Sequence, residues 1–217
     1  MYDVTSILPD EVDAGLQPGT NLLIAGPPMI GKHRLALALL ANGLDDGDGL
    51  LCISTNDSAT ALVDALSQHA PSFEREQLGI VSCVGKESSR APDGVVTEYV
   101  SSPSDLTGIS IGTVKILDSL SKRDITSIRH GVLSVSTLQQ YLGTQAVFKF
   151  LHIYTSRVSD TDGLGVFTLN SSKQDSERMN ILASEFDGVL ELRETDDGGR
   201  EVRLTGIPAA SRTWCPY

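Results

Sequence analysis

One stretch constrains this chain more than any other: Gly26-Pro27-Pro28-Met29-Ile30-Gly31-Lys32, a G-x-x-x-x-G-K pattern. It follows a short apolar run, Asn21 to Ala25, that reads as a buried strand. It leads into the Leu- and Ala-rich segment 31–41, which reads as a helix. Strand, glycine loop and helix in that order make an anion cradle. The glycines let backbone N–H groups wrap a phosphate, the helix N-terminus adds a favourable dipole, and the lysine reaches the terminal phosphates. The expected nucleotide-binding residues are therefore Gly26, Pro27, Pro28, Met29, Ile30, Gly31 and Lys32, with His33 next in line and ATP as a candidate ligand.

The remainder alternates strand and helix signals. Strands are expected over 50–54, 78–84, 95–100, 129–136 and 164–170. Helices are expected from Asp57 or Ser58 to about His69, over 111–121, over 145–158 and over 175–184 with Asp175 as N-cap. Residues 86–94 and 101–110 read as loops. Asp196-Asp197-Gly198-Gly199, between 189–193 and 200–204, is a hairpin signal. This order predicts an α/β fold of three layers, a mostly parallel central sheet closed by a C-terminal antiparallel hairpin. A single domain is expected over 1–217, with a core of about 4–206 and a tail over 207–217. The tail holds the only Trp, and an aromatic tail on a polar chain docks either on its own domain or on a partner.

Charge narrows the function classes. Lys plus Arg number 17 against 28 Asp plus Glu, for a net charge of -11. Asp outnumbers Glu by 18 to 10 and Arg outnumbers Lys by 11 to 6. A Lys-poor, Asp-rich surface suits a salt-rich cytoplasm, since hydrated carboxylates keep the chain soluble; an ordinary acidic cytosolic protein is the alternative. Nucleic acid is an unfavoured partner, because duplex binding rests on cationic contacts to phosphate. Met1-Tyr2-Asp3-Val4 shows no signal-peptide pattern, and no apolar run approaches the ~20 residues that span a bilayer. The expectation is a cytoplasmic protein without membrane insertion. Cys52, Cys83 and Cys215 lack metal-ligand spacing, and Cys52 and Cys83 read as buried thiols.

The metal-binding half of the expected chemistry is weak. After Lys32 a Ser or Thr would ligate Mg²⁺, whereas His33 offers an imidazole to a cation that prefers hard oxygens. A P-loop ATPase also holds Mg²⁺ through an Asp at the end of a core strand. The candidate strand, Gly131-Val132-Leu133-Ser134-Val135-Ser136, contains no carboxylate. Asp118, in Ile116-Leu117-Asp118-Ser119, is a weak substitute because its neighbours recur at helical spacing.

The chain resembles the RecA-like ATPases, and within them the single-domain KaiC-like group of halophilic archaea. The resemblance covers roughly residues 4–206. It rests on Gly15-Leu16-Gln17-Pro18-Gly19-Thr20 before the P-loop, on Leu51-Cys52-Ile53-Ser54-Thr55-Asn56-Asp57, on the segment 148–157 and on Phe186-Asp187-Gly188-Val189-Leu190-Glu191-Leu192-Arg193. The resemblance implies acidic residues after the second strand that polarise water; Asn56 and Asp57 stand there. It also implies an Asp at the end of the core strand, where Leu133 stands. With His33, Leu133 and Asn56 all departing from the pattern, the resemblance implies a pseudo-ATPase. Such a protein binds ATP weakly or not at all, and acts as a regulatory or scaffold protein through protein contacts or self-association. Two alternatives stand beside it: an active ATPase whose Mg²⁺ site is rebuilt around Asp118 or Asp57, and a recombination-type DNA-associated paralogue using a patch of Lys122-Arg123 with Arg129-His130. By the same resemblance, basic residues such as Lys173, Arg157 or Arg178 would reach a neighbour's nucleotide; ordinary solvated charges are the commoner role.

Overall fold

The computed structural model describes residues 2, 4, 6–10, 12, 15–84, 91–171, 176–208 and 210–217, with the side chains of 176–178 excepted. Among these, nine strands form one sheet in the order β4-β3-β2-β5-β6-β1-β7-β8-β9. The strands are β1 (Asn21–Gly26), β2 (Gly49–Ser54), β3 (Leu78–Ser82), β4 (Val96–Tyr99), β5 (Ile128–Leu133), β6 (Leu164–Asn170), β7 (Gly188–Glu194), β8 (Arg200–Thr205) and β9 (Cys215–Pro216). The first seven run parallel. Strands β8 and β9 are antiparallel additions.

Six α-helices connect them: α1 (Lys32–Ala41), α2 (Ala59–Leu66), α3 (Leu106–Ser121), α4 (Val135–Tyr141), α5 (Thr144–Asp160) and α6 (Ser176–Ala183). The buried residues form two clusters, one on each face of the sheet. One holds α1 and α2 together with the N-terminal residues Tyr2, Val4, Leu8 and Val12. The other holds α3, α4 and α5, with Leu182 of α6. Strands with both faces covered read as unbroken apolar runs, which is why Asn21–Gly26 and Gly49–Ser54 are buried at every position.

Chain direction explains the two faces. From β1 the chain steps toward β4 with α1 and α2 on one face. It then returns through β5, β6 and β7 with α3 to α6 on the other. Right-handed crossovers require that switch of face when the direction reverses. Strand β1 therefore lies beside β6, and the connections leaving their carboxyl ends depart on opposite faces. A crevice opens at such a switch point in open parallel sheets, and ligands occupy it.

Three sequence expectations are corrected. The strand expected over 129–136 ends at Leu133, and Val135–Tyr141 is helix α4. Ser134 turns the chain with φ 80° and caps α4 through its hydroxyl, which accepts from Thr137 N–H. The loop expected over 101–110 becomes helical at Leu106, because the Asp105 carboxylate accepts from Gly108 N–H and starts α3 early. Helix α2 ends at Leu66, short of His69, with Ser58 rather than Asp57 as its cap. Asp175, the loop residues 86–90 and Lys173 lie outside the described residues.

The tail docks on its own domain. Cys215–Pro216 pairs with β8. The Trp214 ring packs on two guanidiniums, its centroid 4.1 Å from Arg193 and 4.6 Å from Arg203. No helix among the described residues is long and apolar enough to cross a membrane.

Candidate functional site

The carboxyl edge of the sheet gathers the residues singled out by the motif. Gly26 closes β1, and a side chain there would meet the Leu192 carbonyl of β7 at 2.8 Å, so the position admits only hydrogen. Gly31 has φ 106°, a left-handed conformation that other residues adopt at a cost. Each glycine of the motif thus has a local physical reason. Met29 also has positive φ, at 65°, and stands 95% exposed at the apex of the loop.

Helix α1 starts without a side-chain cap and without an acidic residue in its first turn. Its leading N–H groups are left for an anion. Lys32 is 7% exposed and donates to the Pro27 carbonyl at 2.6 Å, folding its ammonium back over the loop. Burial pulls its pKa down to about 8. The ammonium stays charged at neutral pH, in a place where a phosphate would be its natural counter-ion. The loop and Lys32 fit a phosphate.

The neighbouring strand ends are built differently. Ser54, at the end of β2, accepts from Asp57 N–H and donates to the Asp57 carbonyl. Thr55 donates to the Leu133 carbonyl at 2.9 Å. Thr137 Oγ1 donates to Asn56 Oδ1 and also meets Ser134 Oγ at 2.8 Å. Ser134 N–H donates to Thr168 of β6, and Asn170 N–H donates to Ser136. Hydroxyls and one amide thus sew together the carboxyl ends of β2, β5 and β6 and the start of α4. The arrangement is neutral, and its polar atoms point at each other.

Mg²⁺ does not fit these residues. Leu133 is 2% exposed and packed in the core at the strand end. Asn56 is engaged by Thr137. His33 is exposed on α1, and its Nε2 lies 3.6 Å from Asp57 Oδ2. Asp57 is the carboxylate brought to the loop, and imidazole is what faces it. Among the described residues no group of three or more His, Cys, Asp or Glu is placed to hold a metal ion.

Asp118 is far from this edge. It sits in the last turn of α3, which runs from the carboxyl end of β4 back to the amino end of β5, and it pairs with Lys122. The basic patch considered from sequence does not assemble on the surface either. Arg129 is buried against Asp48 and under the Tyr2 ring, and burial drives the His130 pKa down to about 4. Cys52, Cys83 and Cys215 are free and buried, with the Cys52 and Cys83 thiols pushed up to about 12.

A family of unknown function, DUF7504, matches residues 19–192. The chain belongs to that family. The match runs from the turn before β1 into β7, so it takes in the glycine loop 26–32 and the sewn strand ends. It stops before β8 and the tail. No curated protein matches the chain.

Sequence reasoning missed Arg200. It opens β8 opposite Glu194 at the carboxyl end of β7, and its Nη1 comes within 3.4 Å of where a Gly31 side chain would begin. Only the hairpin signal at 196–199 hinted that this arginine would return to the loop.

Proposed function

We propose that this DUF7504 member is a RecA/KaiC-like P-loop protein that holds the phosphates of a nucleotide without hydrolysing it, and works through contacts with another protein or with further copies of itself. The observation that carries the reading is the contrast between an uncapped, lysine-bearing loop and strand ends closed by neutral hydrogen bonds. In the RecA-like ATPases that the chain resembles, a carboxylate polarises the attacking water. Leu133, Asn56 and His33 hold the corresponding places and supply none. The halophilic, archaeal and cytoplasmic setting belongs to the same proposal, supported by the Asp-rich, Lys-poor composition.

Labelled ATP, offered to the full chain with Mg²⁺ in both low and molar KCl, tests this directly. Bound nucleotide recovered intact, with binding lost in Lys32→Ala, is the expected result. Turnover at ordinary ATPase rates that Lys32→Ala abolishes would overturn it. The contact of His33 with Asp57 favours a second reading, a working site rebuilt around Asp57. That reading requires Asp57→Asn to remove turnover while leaving nucleotide binding in place.

A further inference from the structure

We infer that this protein binds a polyphosphate chain without a divalent cation, with Arg200 and Arg34 standing in for the metal's charge. The inference rests on the phosphate-binding reading above and deepens it.

A cavity of about 460 Å³ lies along α1, and its lining begins at Arg34, one turn beyond the glycine loop. Arg34, Ala38 and Asn42 form its floor, with Arg200, His69 and Tyr217 around it. Among the described residues no Asp or Glu side chain lines it, in a chain whose net charge is -11. Neither Arg34 nor Arg200 forms an ion pair among the described residues. The larger cavity at the other edge of the sheet, about 660 Å³, shows the opposite chemistry. Asp46, Asp48 and Asp162 line it, and its arginine, Arg129, is already paired with Asp48.

The two arginines reach the loop by separate routes. Arg34 is the third residue of α1, one turn from Gly31. Arg200 arrives through the hairpin, with its guanidinium against Gly31. Tyr217 N–H donates to the Arg200 carbonyl, which fixes the start of β8, and Arg34 and Tyr217 line the same cavity. A guanidinium presents a planar fork that grips phosphate oxygens in pairs, and it does not lose its proton. A nucleoside triphosphate carries about four negative charges. One lysine and a helix dipole of roughly half a charge leave most of them unanswered. With no cluster of carboxylate or imidazole ligands placed for a metal among the described residues, the two guanidiniums beside the same helix end supply the remainder.

The test measures binding of ATP and of inorganic triphosphate to the full chain by titration calorimetry, with Mg²⁺ and with EDTA. Wild type is expected to bind equally in both buffers, within about twofold. Arg200→Gln and Arg34→Gln should each weaken binding about tenfold, the loss expected for a charge-assisted contact to phosphate. Arg200→Lys, which keeps the charge and loses the fork, should fall between. Both arginines are exposed, so unchanged circular dichroism melts will certify the variants. Equal affinity for the two ligands assigns the site to the phosphate chain; a preference for ATP adds a contact to the nucleoside and leaves the inference standing. Binding that needs Mg²⁺, or that survives both Gln substitutions while Lys32→Ala loses it, overturns this inference and spares the P-loop reading. Failure of wild type to bind either ligand in either buffer overturns both.

Discussion

Two adjoining stretches of one sheet edge are built in opposite ways. The loop after β1 keeps an open helix start, a left-handed glycine and a lysine drawn back over the loop. The ends of β2, β5 and β6 have become a closed set of hydroxyl and amide bonds. The first region has polar groups waiting for a partner; the second has used its polar groups on itself. One sheet edge therefore carries an open, lysine-bearing loop beside strand ends that are closed on themselves. Satisfied neutral groups stabilise strand ends, and an unpartnered carboxylate buried there would cost several kcal/mol.

Substitutions that exchange the two characters would break this contrast. Leu133→Asp should have the largest effect, lowering stability by about 3 kcal/mol as a carboxylate is forced into a dry position; chemical denaturation measures it. If Mg²⁺ fully restored that loss in a His33→Ser/Leu133→Asp double variant, the metal region would be dormant rather than dismantled. Lys32→Ala should weaken phosphate binding about a hundredfold, or about 2.7 kcal/mol, without lowering the melting temperature at neutral pH.

The reason is that burial depresses Lys32, so its charge is a burden to the fold. That burden is fully present below pH 8 and is relieved as pH rises from about 8 toward the unfolded value near 10.5. In the same window the anion loses its counter-ion. Phosphate affinity should be about tenfold lower at pH 9 than at pH 7, and a titration series across that range checks it.

Ser134 sharpens the comparison at smaller scale. Ser134→Ala removes the cap of α4 and keeps the left-handed backbone, for a loss of about 1 kcal/mol. Ser134→Gly loses the same cap but relaxes the backbone, so its melt should stay closer to wild type. His33→Ser should change stability by less than about 0.5 kcal/mol, because the contact with Asp57 is half exposed.

The strand, glycine loop and helix were legible in the sequence because their determinants are consecutive. Glycine spacing, an apolar run before and a helical run after all lie within 21 residues of chain, from Asn21 to Ala41. The hairpin was legible for the same reason. The sewn strand ends were not, since Thr55, Asn56, Ser134, Thr137 and Thr168 come from four separate elements and turns. Serine and threonine there read as ordinary strand or loop residues. Helix α4 hid behind Val132 and Val135, whose β-branched side chains suggest a continuing strand, while the turn depends on one left-handed serine. Arg200 was invisible as a neighbour of Gly31 because a whole sheet intervenes between them in sequence.

Trp214 leaves the molecule with a built-in reporter. It is the only tryptophan, and it sits in the strap over β7 and β8 rather than in either core. Its emission depends on two cations that flank it only while the strap is seated. A melt followed by that emission therefore records release of the outer edge, and one followed by far-ultraviolet dichroism records loss of the sheet as a whole. Ligands that grip Arg200, three residues along β8 from the Arg203 that Trp214 covers, will speak to the same fluorophore, so occupancy of the loop and seating of the tail become readable in one unlabelled sample.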